Sequence, residues 1–410
     1  MRIAVEAHAL SQDTITGVGN VVLHYLNELQ KIDGSNEYFI YTMDDLQHVK
    51  LRSKKWRHVD FHYALKKLRM RTRNKWLKLR SGKKGAGAAA SLRILIYRAA
   101  KILLEIADEI VFSFKLASSL KKNRIDIYVG TSTYYYPYFF FSRMKKVGML
   151  YDLVWKLYPD TMEFGNRVRM RFFTLGNMKK LDLLVSISAN TKKDARRLLN
   201  INTRIEAIPL AADKTIFYKA PASAVKAMRK KYGIAKRYIL SVCTLEPRKN
   251  LTALFEAFSR MQGRHDYTLV LAGMSGWIGT EFFRRIKNSD IYDNVIFTGY
   301  VPNSDLAPLY AGAELFVFPS LYEGFGLPVL EAMQCGCPVV TSNRSSIPEV
   351  AGDAAILIDP EDTAGLASVM EQILNNKALK KRLSNKGLRR SELFSWKKSA
   401  AILLELLESL

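Results

Sequence analysis

Along most of the chain, short apolar runs alternate with longer stretches whose apolar positions recur every three or four residues. This is the pattern of parallel βαβ units. The first unit predicts a strand over 2–6, a turn at Thr16-Gly17-Val18-Gly19, and a helix through Gln30 that buries Val18, Val21, Val22, Tyr25, Leu26 and Leu29. Further strands are expected at 38–42, 125–129, 147–150, 183–187 and 205–208. After 209–222, read as an interdomain linker, a more regular series begins, with strands at 238–242, 267–271, 295–298, 315–318, 338–341 and 354–358. The chain closes with two helices, the last from about Trp396 to Leu407. Two such series in 410 residues predict an α/β protein of two Rossmann-like domains, over 1–210 and 211–394.

The rhythm breaks between 50 and 104. That segment holds 18 Lys or Arg against one acid, Asp60, and so carries +17 of the net +25. With the Gly/Ala/Lys patch at 82–90 it reads as an insertion, followed by an apolar helical stripe through Leu92, Leu95, Ile96, Ala99, Ile102, Leu103 and Ile106. Such charge attracts an anionic partner. Basic residues interleaved with Trp56, Trp76 and Leu77 suit an anionic membrane surface, at roughly 1 kcal/mol per cation; a solvated loop is the bland alternative. Binding to nucleic acid would also explain the charge, but the aromatic run Tyr134–Phe141 lies elsewhere and no nucleic-acid motif accompanies it. That run suits stacking on a sugar or lipid tail, or plain core packing.

Cysteine use points to a reducing compartment: only Cys243, Cys335 and Cys337 occur, and the last two read as small buried hydrophobes. No secretory leader is read at Met1–Val5 and no apolar run is long enough to span a bilayer, so a cytoplasmic protein, peripheral on the inner membrane face, is expected. His48, His58 and His62 read as solvated side chains among cations rather than metal ligands, and His8 stands where it can border a cleft. No metal site is expected.

The densest chemistry runs from Pro319 to Met333. A strand ends near Phe318, a loop with Gly324 and Gly326 follows, and a helix begins near Leu327. Glycines let a ligand approach the main chain, and a helix start offers N–H groups and positive partial charge to a diphosphate or a sugar hydroxyl. Glu323 precedes that helix and Glu331 lies about one turn inside it. Both carboxylates therefore border one crevice at the carboxyl end of a strand, where α/β sheets bind ligands. Arg248 and Lys249 stand beside a second helix start near Asn250. Fixed cations there stabilise charge growing on a departing diphosphate, one contact contributing about 3 kcal/mol.

In order and spacing, Thr16–Gly19, Ser186–Thr191, Thr244–Asn250, Phe297–Val301 and the Glu323…Glu331 pair resemble the retaining glycosyltransferases of GT-B fold, family 4, over nearly the whole chain outside the basic insertion. The resemblance implies two Rossmann-like domains facing across a cleft. The first takes the acceptor, the second a nucleoside-diphosphate sugar, and the helix at 395–410 returns to the first. It implies that Glu331 bonds the ribose hydroxyls and Glu323 those of the donor sugar. The backbone around Phe325, Gly326 and Leu327 would hold sugar and phosphates, with Gly17 and Gly19 facing the diphosphate from the other domain. Two positions depart from the family. Its usual arginine is Thr244 here, so Arg248 is expected to supply that charge. The histidine usual before Asp152 is Tyr151, a phenol of pKa about 10 that donates a hydrogen bond but is a poor base at neutral pH. Tyr151 and Asp152 either line the site or serve packing.

The reaction so implied retains anomeric configuration without a protein nucleophile and requires no cofactor. The donor would be GDP-mannose or a UDP-sugar, and the acceptor a glycan on a polyprenyl-linked carrier of a bacterial surface polysaccharide. A GT-B sugar phosphorylase or a sugar-nucleotide epimerase would share the architecture.

Overall fold

The computed structural model describes residues 1–12, 15, 17–42, 44–60, 103, 104, 107, 110, 111, 113–132, 143–159, 170 and 174–410. Among these, the first half supplies β1 (Arg2–Glu6), β2 (Glu37–Thr42), β3 (Trp56–Asp60), β4 (Ile127–Gly130), β5 (Lys145–Leu150), β6 (Leu183–Ser186) and β7 (Arg204–Ala207). They form one parallel sheet in the order β3-β2-β1-β4-β5-β6-β7. The second half supplies β8 (Arg237–Val242), β9 (Tyr267–Ala272), β10 (Val295–Gly299), β11 (Leu315–Phe318), β12 (Val339–Ser342) and β13 (Ile356–Ile358). These form a second parallel sheet, in the order β10-β9-β8-β11-β12-β13. Both sheets are doubly wound, and their inner strands are short apolar runs because helices cover both faces.

The helices used below are α1 (Gly17–Ile32), α2 (Ala189–Leu198), α3 (Leu251–Arg260), α4 (Asn303–Ala311), α5 (Leu327–Gln334), α6 (Ile347–Ala351), α7 (Lys377–Ser391) and α8 (Trp396–Glu408). The stripe read in α1 lies inward: Val21, Val22, Tyr25, Leu26 and Leu29 are buried, with Val18 half-buried. Cys335 and Cys337 are buried among apolar neighbours.

The chain crosses between the sheets near 209–222 and comes back with α8, which packs on α1. Trp396 stacks on His24 with ring centroids 4.6 Å apart and meets Tyr25 edge-on at 5.6 Å, while the Ser399 hydroxyl donates to the Pro209 carbonyl at 2.6 Å. Trp396→Ala is expected to destabilise the first half by about 3 kcal/mol through the cavity left at this contact, read as a lower urea midpoint.

The sheet reaches further into the basic segment than its sequence suggests. Trp56–Asp60 is the edge strand β3, paired with β2, so the insertion begins after Asp60. Trp56 is buried and stacks on Tyr38 at 3.9 Å, which takes it away from any membrane surface. His58 is not simply solvated: its Nε2 lies 2.6 Å from the Thr42 hydroxyl. Residues 61–102 of the insertion, with His62, Trp76 and Leu77, and the aromatic run at 134–141 lie outside the described residues. Among the described residues no helix is long and apolar enough to cross a membrane.

Candidate active site

The carboxyl ends of β8 and β11 are neighbours because their strands pair, and this brings the two charged loops together. After β8 a single tight turn over Pro247–Lys249 ends at Asn250, whose backbone is left-handed (φ +56°), and α3 starts at once. The loop after β11 is strapped to that turn. Leu321 N–H donates to the Arg248 carbonyl at 2.9 Å, and the Ser320 hydroxyl lies 3.2 Å from the same oxygen.

Three charges converge there. The Lys249 ammonium donates to Glu323 Oε1 at 2.7 Å, Arg248 Nη1 lies 3.1 Å from the same oxygen, and the Ser320 hydroxyl donates to it at 2.6 Å. Arg248 also donates to the Glu246 carboxylate and to the Tyr322 carbonyl. Glu323 is 8% exposed and Lys249 8%. Burial alone would raise the Glu323 carboxyl, but Lys249 and Arg248 more than offset it and hold the group down at about 2. It is a carboxylate at every physiological pH. Asp152 is close enough to feel the same charges, yet burial dominates and raises its pKa, with the Val154 N–H at 3.1 Å an opposing influence.

The Glu323 main chain is held as firmly. Its N–H donates to Ser345 Oγ at 2.9 Å, and the Ser346 hydroxyl lies 2.8 Å from both the Glu323 and Phe325 carbonyls. Phe325 points into the core, edge-on to Phe394 at 5.8 Å. Gly326 caps α5 at φ +111°, a region L side chains rarely enter, and an added Cβ would press Ile347 Cδ1 at 2.7 Å. Leu327 opens the helix. Four residues later Glu331 is half-buried and accepts from the Tyr310 hydroxyl at 2.9 Å. Burial raises its carboxyl to about 7.

The other domain reaches this loop directly. Tyr151 and Asp152 follow β5, and the Tyr151 carbonyl lies against Gly324. Thr191 Oγ1 donates to the Gly324 carbonyl at 3.0 Å. Glu349, the third residue of α6, accepts from the N–H groups of Ala189 and Asn190 at 2.9 and 3.1 Å, capping α2 from the other domain. Gly17 and Gly19 open α1. A side chain on Gly17 would meet nothing within 4 Å, whereas one on Gly19 would press Ile15 at 2.8 Å. Thr244 is exposed just beyond β8, its methyl over Gly276.

Residues 225–390 match the model of the family described as Glycosyl transferases group 1. The O-antigen chain mannosyltransferase B of Escherichia coli is 35% identical over 240 residues, covering 57% of this chain and 63% of that protein. The serotype-specific mannosyltransferase WbdA of Escherichia coli is 32% identical over 246 residues, 56% of this chain and 29% of that one. The chain thus spans less than two thirds of the length of these curated relatives. Sucrose-phosphate synthase from Thermosynechococcus elongatus superposes with a TM-score of 0.72 at 18% identity, over 100% of this chain and 98% of its own. The fold is GT-B.

The matched region contains Arg248, Lys249, Glu323, Phe325, Gly326, Leu327 and Glu331, and Arg248, Lys249 and Glu323 meet beside Ser320. Ser320, Glu246, Tyr310 and Glu349 had no role assigned from sequence. Ser320 lies within 319–333, but nothing in its local pattern marks its hydroxyl as a partner of Glu323. Glu6, at the end of β1, is a further buried carboxyl, raised by burial against hydrogen bonds that include the His8 N–H at 2.8 Å and Thr131 Oγ1 at 2.9 Å. His8 itself is thereby part of the turn that Glu6 anchors.

Proposed function

We propose that the protein is a retaining hexosyltransferase that moves mannose from GDP-mannose to a glycan on a polyprenyl-linked carrier during synthesis of a surface polysaccharide. The observation that carries this reading is the buried Glu323–Lys249–Arg248 cluster at adjoining helix starts. Mannose and the polysaccharide are favoured by the named activities of the two Escherichia coli relatives; a UDP-sugar is the second candidate donor.

In this scheme Glu323 orients the hydroxyls of the donor sugar, and Lys249 and Arg248 face its diphosphate. As the bond between the anomeric carbon and the phosphate oxygen breaks, negative charge grows beside these cations, which are fixed in a site of low dielectric and need no reorganisation. The acceptor hydroxyl attacks the anomeric carbon on the same face, and its proton passes to the departing phosphate oxygen. No protein nucleophile or cofactor takes part. Tyr151 and Asp152 bound the sugar from the other domain.

The test is release of nucleoside diphosphate by the purified protein from GDP-mannose and from UDP-sugars, with and without a lipid-linked glycan. Acceptor-dependent release, with the product's anomeric configuration matching the donor's, is expected. Consumption of the donor with phosphate alone, or its isomerisation without acceptor, would instead mark a phosphorylase or an epimerase. Glu331→Ala is expected to raise donor KM about tenfold, the loss of hydrogen bonds to a charged group, with kcat changed much less. Work at the inner face of a membrane, through the basic segment beyond Asp60, is expected to appear as salt-sensitive binding to anionic liposomes. Equal retention by duplex DNA would speak for a nucleic-acid partner.

A further inference from the structure

Tyr310, in α4, has no accessible surface, and its hydroxyl donates to Glu331 Oε2 at 2.9 Å. Among the described residues this is the one hydrogen bond to that carboxylate. Burial raises the phenol far above its ordinary range, so it stays protonated and donates to the ionised Glu331. An ionised carboxylate has about four acceptor positions on its two oxygens. One is taken by Tyr310, which fixes the rotation of the group and leaves the others free for a ligand. A solvated glutamate would have to lose that freedom on binding.

We propose that Tyr310 is a positioning residue: it holds the Glu331 carboxylate in place for a vicinal diol of the nucleotide, so that donor binding rather than turnover depends on the Tyr310–Glu331 pair. This rests on the donor site described above. The groups facing Glu331 are few. Tyr310 comes from α4, and the buried thiol of Cys335 lies at the end of Glu331's own helix, with Cys337 beside Tyr310. Of the cations on α7, which packs on α5, Lys380 engages Glu314, Lys386 engages Asp353 and Arg390 the carbonyls of Glu349 and Val350, while Lys377, Lys381, Arg382 and Arg389 are exposed to solvent.

A pH dependence follows. Burial raises the Glu331 carboxyl from its ordinary 4.5 to about 7, the Tyr310 bond being the offsetting influence. Below that pH the group carries a proton and accepts less well from a diol, so nucleotide affinity rises as pH increases through about 7. Without the Tyr310 hydroxyl the offset is lost, and the rise shifts to higher pH.

The experiment is calorimetric titration of the wild type, Tyr310→Phe and Glu331→Gln with GDP and with UDP across neutral pH, together with a carbon NMR titration of Glu331 in the free protein. Tyr310→Phe is expected to bind about tenfold more weakly at neutral pH and to recover part of that loss at alkaline pH. Its Glu331 midpoint should lie above that of the wild type. Glu331→Gln should bind weakly with no such step. The nucleotide's own phosphate proton, with a pKa of about 6, is common to all three proteins and cancels in the ratios. Binding by Tyr310→Phe with the wild-type profile, or an unshifted Glu331 midpoint, would overturn the inference while leaving the donor site standing. If neither nucleotide binds the wild type, the donor site falls and the inference with it.

Discussion

Glu323→Gln is expected to lower turnover by about a hundredfold or more, the largest loss at any single side chain in the site. Two effects add. The variant loses the acceptor that orients the donor sugar, and it leaves Lys249 and Arg248 buried without the countercharge on which both converge. A cation aimed at a diphosphate is useful only where it is fixed, and in the wild type Glu323 fixes both. The same contact makes the residue structural. Its carboxyl is held at about 2 against an ordinary value of 4.5, because Lys249 and Arg248 outweigh the cost of burial. That difference contributes on the order of 3 kcal/mol to the folded state. The stabilisation is fully present above about pH 4.5 and is lost as the pH falls from there towards about 2. Unfolding curves of the wild type and Glu323→Gln should therefore lie well apart near neutrality and converge in acid. Separating the two roles needs kinetics on protein shown to be folded. A folded Glu323→Gln enzyme with wild-type turnover would remove this residue from the chemistry, whatever its effect on stability.

How far the sequence disclosed all this depended on the range of the contact. The α1 stripe and the buried inner strands were legible because apolar periodicity is a local signal, and each helix or strand in a doubly wound fold meets its sheet with that periodicity. Edge strand β3 was not. Its burial is confined to Trp56, while Arg57 and His58 point outward, so five residues in a run of cations read as part of an insertion. In the site, Arg248, Lys249, Glu323 and Glu331 could be named from motif order alone. Their partners could not. Tyr310 approaches Glu331 from a different helix, Lys249 meets Glu323 across 74 positions, and Glu349 caps α2 across 160. Contacts of that range are set by how two sheets and their loops pack, which no window of sequence encodes. Tyr322 and Asp194 illustrate the same point: each is unremarkable in its own segment, and their hydrogen bond at 3.3 Å exists only because the two domains touch.

Gly324→Ala is expected to cut turnover by about a hundredfold while sparing both domains. A methyl group there would lie 1.9 Å from the Tyr151 carbonyl oxygen and 3.1 Å from Asp152 Cβ. The oxygen belongs to the backbone at the end of β5, so it cannot swing aside as a side-chain tip would. The tension can be relieved only by moving one domain off the other. Doing so strains the contacts around it: Thr191 on the Gly324 carbonyl, Tyr322 on Asp194, and Glu349 on the start of α2. A transfer reaction needs donor carbon and acceptor oxygen within about 3.5 Å, and a displacement of about 1 Å can cost a hundredfold. The expected result is a kcat reduced by about that factor or more. The radius of gyration in solution should increase, and nucleotide binding by the second half of the chain should survive. Gly279→Ala is the control, since a methyl there meets nothing within 4 Å. If Gly324→Ala turned over normally, the contact between Tyr151 and the glutamate loop would be incidental to catalysis, and the working enzyme would have to assemble its site with the domains in some other arrangement.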